Sequence, residues 1–158
     1  MNFFSLFKRK IIYRLRNKTS IDNDNNLLNT LDELFYFYGS DKAEIFKLTK
    51  KKGHGYSKFY ERKLSNLKEK KINILEIGSY AGASAAAFSK YFPDSNIFCF
   101  DVNIANFKFK SKKIHVFGVD INNEIMIRKI LNKISKKYNI NEFDFIIDDG
   151  SHNLSDIL

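Results

Sequence analysis

Carboxylates recur at the ends of short apolar runs in this sequence. Glu76 lies in Ile72-Asn-Ile-Leu-Glu-Ile77, Asp101 near the end of 96–102, and Asp120 just after 114–119. Asp148 and Asp149 follow Phe143-Asp-Phe-Ile-Ile147. If the runs are parallel strands, these acids converge at the carboxyl end of one sheet, where open α/β sheets bind their ligands. The first run leads into Gly78-Ser-Tyr-Ala-Gly82. Two glycines allow a tight turn and close approach of a ligand to the backbone. Their spacing is Gly-x-x-x-Gly, not the Gly-x-Gly-x-x-Gly of a pyrophosphate-binding turn, so a nucleoside without phosphates fits better than a dinucleotide. Asp101 is placed to accept hydrogen bonds from a ribose diol. Any one of these acids could simply cap a strand or a helix N-terminus. As a set, in a chain of formal net charge +9, they point to a cationic ligand.

The elements that must position them follow from hydrophobic periodicity. Strands are predicted at 72–77, 96–102, 114–119 and 143–147, and helices at 83–92 and about 123–138. Pro93 stops the first of these helices. Strands alternating with helices predict a Rossmann-like α/β fold: a parallel sheet covered by helices on both faces. Upstream, Leu27, Leu31, Leu34, Phe35 and Tyr38 recur at helical spacing and Gly39 supplies a C-cap. Residues 40–56 read as irregular, a second helix as running from Ser57 to about Lys70, and the stretch from Lys108 to Lys113 as a solvated turn. The expected organisation is a basic amphipathic segment and linker at 1–26, a helical extension at 27–70 and a partial catalytic domain at 71–158. Four strands are fewer than such a sheet normally has. The last would be left as an open edge, so the sequence is expected to be a copy truncated at its C-terminus.

The one cysteine, Cys99, lies within an apolar run and reads as a buried, inert thiol, in keeping with a cytoplasmic setting. Most of the Lys are scattered, which argues against nucleic acid as the partner. The first 18 residues differ. Lys8, Arg9, Lys10, Arg14, Arg16 and Lys18 interleave with Phe3, Phe4, Leu6, Phe7, Ile11, Ile12 and Leu15, with no acid among them. Such a helix can lie on the inner face of an anionic membrane or dock on its own domain. It is not a secretory signal, and no stretch is long enough to span a bilayer.

Three stretches carry a resemblance. Glu76-Ile-Gly-Ser-Tyr-Ala-Gly82 with Asp101 downstream is similar to motif I, and its following acid, of class I S-adenosylmethionine-dependent methyltransferases. Phe143-Asp-Phe-Ile-Ile-Asp-Asp-Gly-Ser-His152 resembles the fourth-strand motif of macrolide-sugar O-methyltransferases of the mycinamicin type and of the related rhamnosyl methyltransferase and cephalosporin hydroxylase group. Tyr38-Gly-Ser-Asp-Lys42, His54-Gly-Tyr56 and Tyr60-Glu61 resemble the segment before motif I in the same sugar enzymes. The resemblance covers about residues 36–158.

It implies S-adenosylmethionine as cofactor, whose sulfonium suits the acidic rim, held by Glu76, Gly78, Ser79, Tyr80, Gly82, Asp101, Asp120 and Asp148. Tyr80 and Ser84 could equally cap the following helix. The resemblance further implies Mg²⁺ on Asp149 and His152 as general base. A sugar hydroxyl is a poor acid, which a metal would activate and orient. The family completes that metal site with an acidic pair on the next strand, and between Lys42 and His54 this chain carries a longer insertion. The function expected is O-methylation of a sugar or glycan hydroxyl or another small molecule, by a protein that could form a homo-oligomer. The alternatives are a non-catalytic fragment that binds S-adenosylmethionine, and a nucleic-acid methyltransferase.

Overall fold

The computed structural model describes residues 3–24 and 28–150. Four parallel strands form one sheet: β1 (Ile72–Ile77), β2 (Ser95–Asp101), β3 (Ile114–Gly118) and β4 (Phe145–Asp148), in the order β3-β2-β1-β4. The helices are α1 (Phe3–Leu15), α2 (Leu31–Tyr38), α3 (Ser57–Leu64), α4 (Ala83–Tyr91) and α5 (Glu124–Tyr138). This is the expected α/β class. The chain runs β1, β2, β3 outward and then crosses back beside β1, so the strand order reverses between β1 and β4. That reversal is the topological switch point at which doubly wound sheets open a crevice.

Side chains of a strand alternate between faces, and both faces here are apolar. Ile72, Ile74, Ile97 and Cys99 pack with Phe88 of α4, with Phe92 just after it, and with Leu31, Leu34 and Phe35 of α2. Leu75, Phe98 and Phe100 pack on the other face with Ile134 and the apolar stripe of α5. Burial holds the Cys99 thiol well above its ordinary pKa, as expected of an inert group. Phe35 meets Phe88 edge-on at 5.3 Å and Tyr60 meets Phe145 at 5.8 Å, so rings join α2, α3, α4 and β4 in one core.

Beyond shifts of one or two residues at element ends, the chain departs from the expected elements in four places. Helix α2 begins at Leu31, capped by Thr30, whereas the helical spacing starts at Leu27, a residue outside the described ones. The helix from Ser57 ends at Leu64 and tightens into a 3₁₀ turn over Ser65–Leu67, because Ser65 and Asn66 are poor helix formers. Residues 40–56 contain a hairpin, with Ile45–Phe46 pairing antiparallel to Lys51–Lys52. Within the predicted turn at 108–113, Phe109–Lys110 instead pairs in parallel with Thr19–Ser20, tying the N-terminal segment to the sheet's periphery.

Candidate functional site

The register brings the carboxyl ends level. Ile77 pairs with Phe100 on one side and Asp148 on the other, and Asp101 pairs with Gly118. From Ile77 the chain enters the glycine turn. Gly78 has φ +80°, and a Cβ there would come within 2.3 Å of the Asp149 carbonyl oxygen, so only glycine lets the ends of β1 and β4 close. The Gly78 N–H donates to Phe100 O at 2.8 Å and the Asp149 N–H to Ile77 O at 2.9 Å. Tyr80, a non-glycine residue, is held at φ +41°. Its N–H donates to Asp101 Oδ2 at 2.7 Å, and the Asn103 N–H donates to Oδ1 at 2.5 Å. A backbone in so sparsely populated a region persists only where its surroundings over-determine it.

Two clefts meet at this turn and share Gly78, Tyr80 and Asp149. The one over β1, β2 and β3, about 480 Å³, is lined by Ile77, Phe100, Val119 and Ile121 with Asp101, Asp120 and Asp149; no Lys or Arg lines it among the described residues. The other, about 340 Å³, lies between the turn and the loop after α2 and presents Asp41, Lys42, Ser79 and Lys108. One cleft is therefore apolar and anionic, and the other carries both signs.

The structure brings Gly78, Ser79, Tyr80, Asp101, Asp120 and Asp149 onto these walls. Three expected contacts lie elsewhere. Glu76 is 0% exposed: strand alternation points it under the turn, on the same face as Ile72 and Ile74. There Ser84 Oγ donates to its Oε1 while its Oε2 has no hydrogen-bond partner. Ser84 thus holds Glu76, and the N-cap of α4, Gly82, makes no side-chain cap bond. Gly82 lines neither cleft, because the buried Phe107 ring packs against it where a Cβ would fall, 2.4 Å away. Asp148 is exposed and lines neither cleft; its Oδ1 accepts the Gly150 N–H at 3.0 Å. His152 lies outside the described residues.

Lys42 was given no role from the sequence. It is 3% exposed and its ammonium pairs with the Asp149 carboxylate. Burial by itself would lower the lysine, but Glu76, Asp149 and Asp41 outweigh it and hold the ammonium above its ordinary pKa. Burial pushes the Glu76 carboxyl up, and Lys42 opposes the shift. The lysine is placed by its loop. Thr30 and Glu33 form a capping box that starts α2. Gly39 ends the helix at φ +79°, and the far side of the hairpin clamps the loop beyond it: Tyr56 N–H donates to Lys42 O at 3.0 Å and His54 N–H to Asp41 O at 2.7 Å. The signal in the sequence was the Tyr38-Gly-Ser-Asp-Lys42 stretch, but nothing local tied Lys42 to an acid 107 residues away.

The clefts suit a nucleoside joined to a zwitterionic chain. Asp101 uses one lone pair on each oxygen for the backbone and keeps acceptor capacity for a diol. A metal ion fits less well. Mg²⁺ wants several hard oxygen ligands, no group of three His, Cys, Asp or Glu gathers among the described residues, and Asp149 is neutralised by Lys42.

No protein-family model matches the chain, and comparison with curated proteins finds no match. Solved structures do match. One is the MycE methyltransferase of the mycinamycin biosynthetic pathway, in complex with Mg, SAH and mycinamycin VI. It is 24% identical, with a TM-score of 0.60 over 80% of this chain and 32% of that one. A second MycE structure, with Mg and SAH, gives 24% identity and a TM-score of 0.59 over 78% and 32%. The chain therefore spans about a third of the length of these proteins. At that identity the likeness establishes the shared fold, a Rossmann-like parallel sheet flanked by helices.

Proposed function

We propose that this chain is the cofactor-binding part of an S-adenosylmethionine-dependent O-methyltransferase. The observation that carries the reading is the convergence of residues 78–81, Asp101, Asp120 and Asp149 on two joined clefts at the switch point. Asp101 would accept from the ribose hydroxyls, and the apolar wall of Ile77, Phe100 and Val119 would take the adenine. Lys42 and Asp41 would face the carboxylate and ammonium of the amino-acid end. The cofactor supplies an electrophilic methyl on a sulfonium, and Asp101 and Asp120, in a cleft that no described Lys or Arg lines, would stabilise that charge. The acceptor in this reading is a sugar or glycan hydroxyl, in a protein working in the cytoplasm. His152, three residues beyond Asp149, is the proposed base for its proton. Metal assistance needs ligands besides Asp149.

A second reading, a fragment that binds S-adenosylmethionine without turnover, is favoured by the Lys42–Asp149 pair. Calorimetry tests what both share. S-adenosylhomocysteine should bind the 158-residue chain and NAD should not compete. Asp101→Asn should weaken binding about tenfold or more, the usual size for a charged hydrogen-bond pair, without unfolding the chain. Absence of binding, or indifference to Asp101→Asn, would refute the site. Transfer of a labelled methyl to glycan acceptors by the complete gene product separates the two readings.

A further inference from the structure

A surface remote from these clefts is built to a different specification. Helix α1 buries Leu6, at 7% exposure, and is fastened to the loop after β2. Arg9 donates to Val102 O at 2.9 Å and Arg16 to Ala105 O at 2.8 Å. Its outer face carries Phe7, Ile11 and Leu15, spaced four apart and therefore on one stripe; they are 54%, 42% and 79% exposed. The cations Lys10 and Arg14 flank this stripe and lead into a cleft of about 390 Å³ between α1, β3 and α5. Lys10, Arg14, Lys133 and Lys137 line it with Tyr13 and Tyr138, and among the described residues no Asp or Glu does. The basic face continues along α5 through Lys129 and Lys136. No described helix is long and apolar enough to cross a membrane.

We infer that this face docks on an anionic lipid bilayer, with Phe7, Ile11 and Leu15 at the acyl boundary and lipid phosphates in the Lys10–Lys137 cleft. The two features together select the partner. A row of large apolar side chains held in water is unfavourable unless something covers it, and four converging cations need an anion. Nucleic acid would engage the cations and leave Phe7 and Leu15 idle. A second copy of the chain would bring like charges together. An anionic bilayer takes both, as interfacial helices do. The inference is independent of any methyl transfer.

The test is sedimentation of the 158-residue chain with vesicles of phosphatidylcholine alone and of equal parts phosphatidylcholine and phosphatidylglycerol. Two variants divide the contributions, and their folding is checked by circular dichroism and urea midpoint. Phe7→Gln/Leu15→Gln keeps every charge. Lys133→Gln/Lys137→Gln keeps the apolar stripe. The chain should partition onto the anionic vesicles and not the neutral ones. The first variant should lose about tenfold or more, and the second about fivefold for each lysine removed. No partition onto anionic vesicles overturns the proposal, as does partition that Phe7→Gln/Leu15→Gln leaves unchanged. Binding to duplex DNA with vesicles ignored, or self-association through α1 in their place, overturns it equally.

Discussion

The cleft at the switch point and the outer face of α1 answer two different physical problems. In the cleft, the key groups are fixed by others from a different element: Gly78 by the backbone of Asp149, Tyr80 by Asp101, Asp149 by Lys42. On α1 the apolar stripe and its cations come from one helix, held at a few points and open to solvent on the other side. A small ligand needs donors and acceptors preset to fractions of an ångström, which only converging elements can provide. An extended surface needs area and charge, which a single helix can carry. Substitutions should therefore cost stability in the first region and leave it nearly unchanged in the second.

The glycines give the largest expected difference. Gly39 and Gly78 have nearly the same φ, +79° and +80°, but a Cβ on Gly39 meets nothing within 4 Å while one on Gly78 meets the Asp149 carbonyl. Gly39→Ala should cost about 1 kcal/mol, the left-handed conformation alone. Gly78→Ala should cost about 3–4 kcal/mol, because backbone must move as well, and should abolish nucleoside binding. Urea denaturation of the two variants side by side isolates the close approach of β1 to β4. Equal costs would mean that the turn is not closed as described.

Next in size is the buried charge group. Lys42→Met leaves Glu76 and Asp149 without their cation. We expect a loss of about 2 kcal/mol at neutral pH, less than the roughly 3–5 kcal/mol of a fully buried broken pair because Asp149 keeps part of its solvent. The loss depends on pH with a definite sign. The folded Glu76 carboxyl lies above its ordinary value of 4.5 and rises further without Lys42. A raised carboxyl contributes stability that is present below the unfolded pKa and lost as pH rises through the folded one. The deficit of Lys42→Met should therefore be smaller at about pH 5 than at about pH 8. Adding Glu76→Gln should restore about half of it and remove the pH dependence. A deficit independent of pH would remove Glu76 from the group.

These contrasts track the line between what the sequence announced and what it hid. The four strands and their helices were legible because period-2 and period-3.6 patterns are local. So was the character of α1, since its charges and rings lie within one short segment. The glycine turn with Asp101 and Asp120 was legible through the rule that ligands bind at strand carboxyl ends. Glu76 was misplaced within the site because its motif gives its neighbourhood but not its face. The pleat alone turns it beneath the turn, where a carboxylate rarely goes. Asp148 and Asp149 look interchangeable as a pair of letters, but one residue of register sends the first outward and the second into the cleft. Lys42 was hidden for a third reason. Its partner is 107 residues distant, and the intervening hairpin that aims it has no strong periodicity of its own.

The smallest expected effect is on the basic side and concerns His115. The ring takes part in a row across the sheet: Tyr138 OH donates to Nδ1 at 3.1 Å, Nε2 to Asn96 Oδ1 at 3.2 Å, and Asn96 Nδ2 to Asn73 Oδ1 at 3.1 Å. That row uses the neutral imidazole, as a structural histidine does. Burial first and Lys137 second lower its pKa from 6.5 to about 4. Lys10, Arg14 and Lys133 line the same cleft. A depressed histidine contributes stability that is present above its unfolded pKa and lost as pH falls from 6.5 toward 4. His115→Gln can replace the hydrogen bonds but cannot titrate. Between about pH 7 and pH 4 the parent chain should lose about 1 kcal/mol more than this variant, less than the full shift represents because the ring is only half-buried. Urea midpoints of both proteins across that range measure the difference. If the two curves stay parallel, the ring is more hydrated than its half-buried place implies. If they diverge as expected, the ring is held neutral by its burial, with Lys137 adding to the effect.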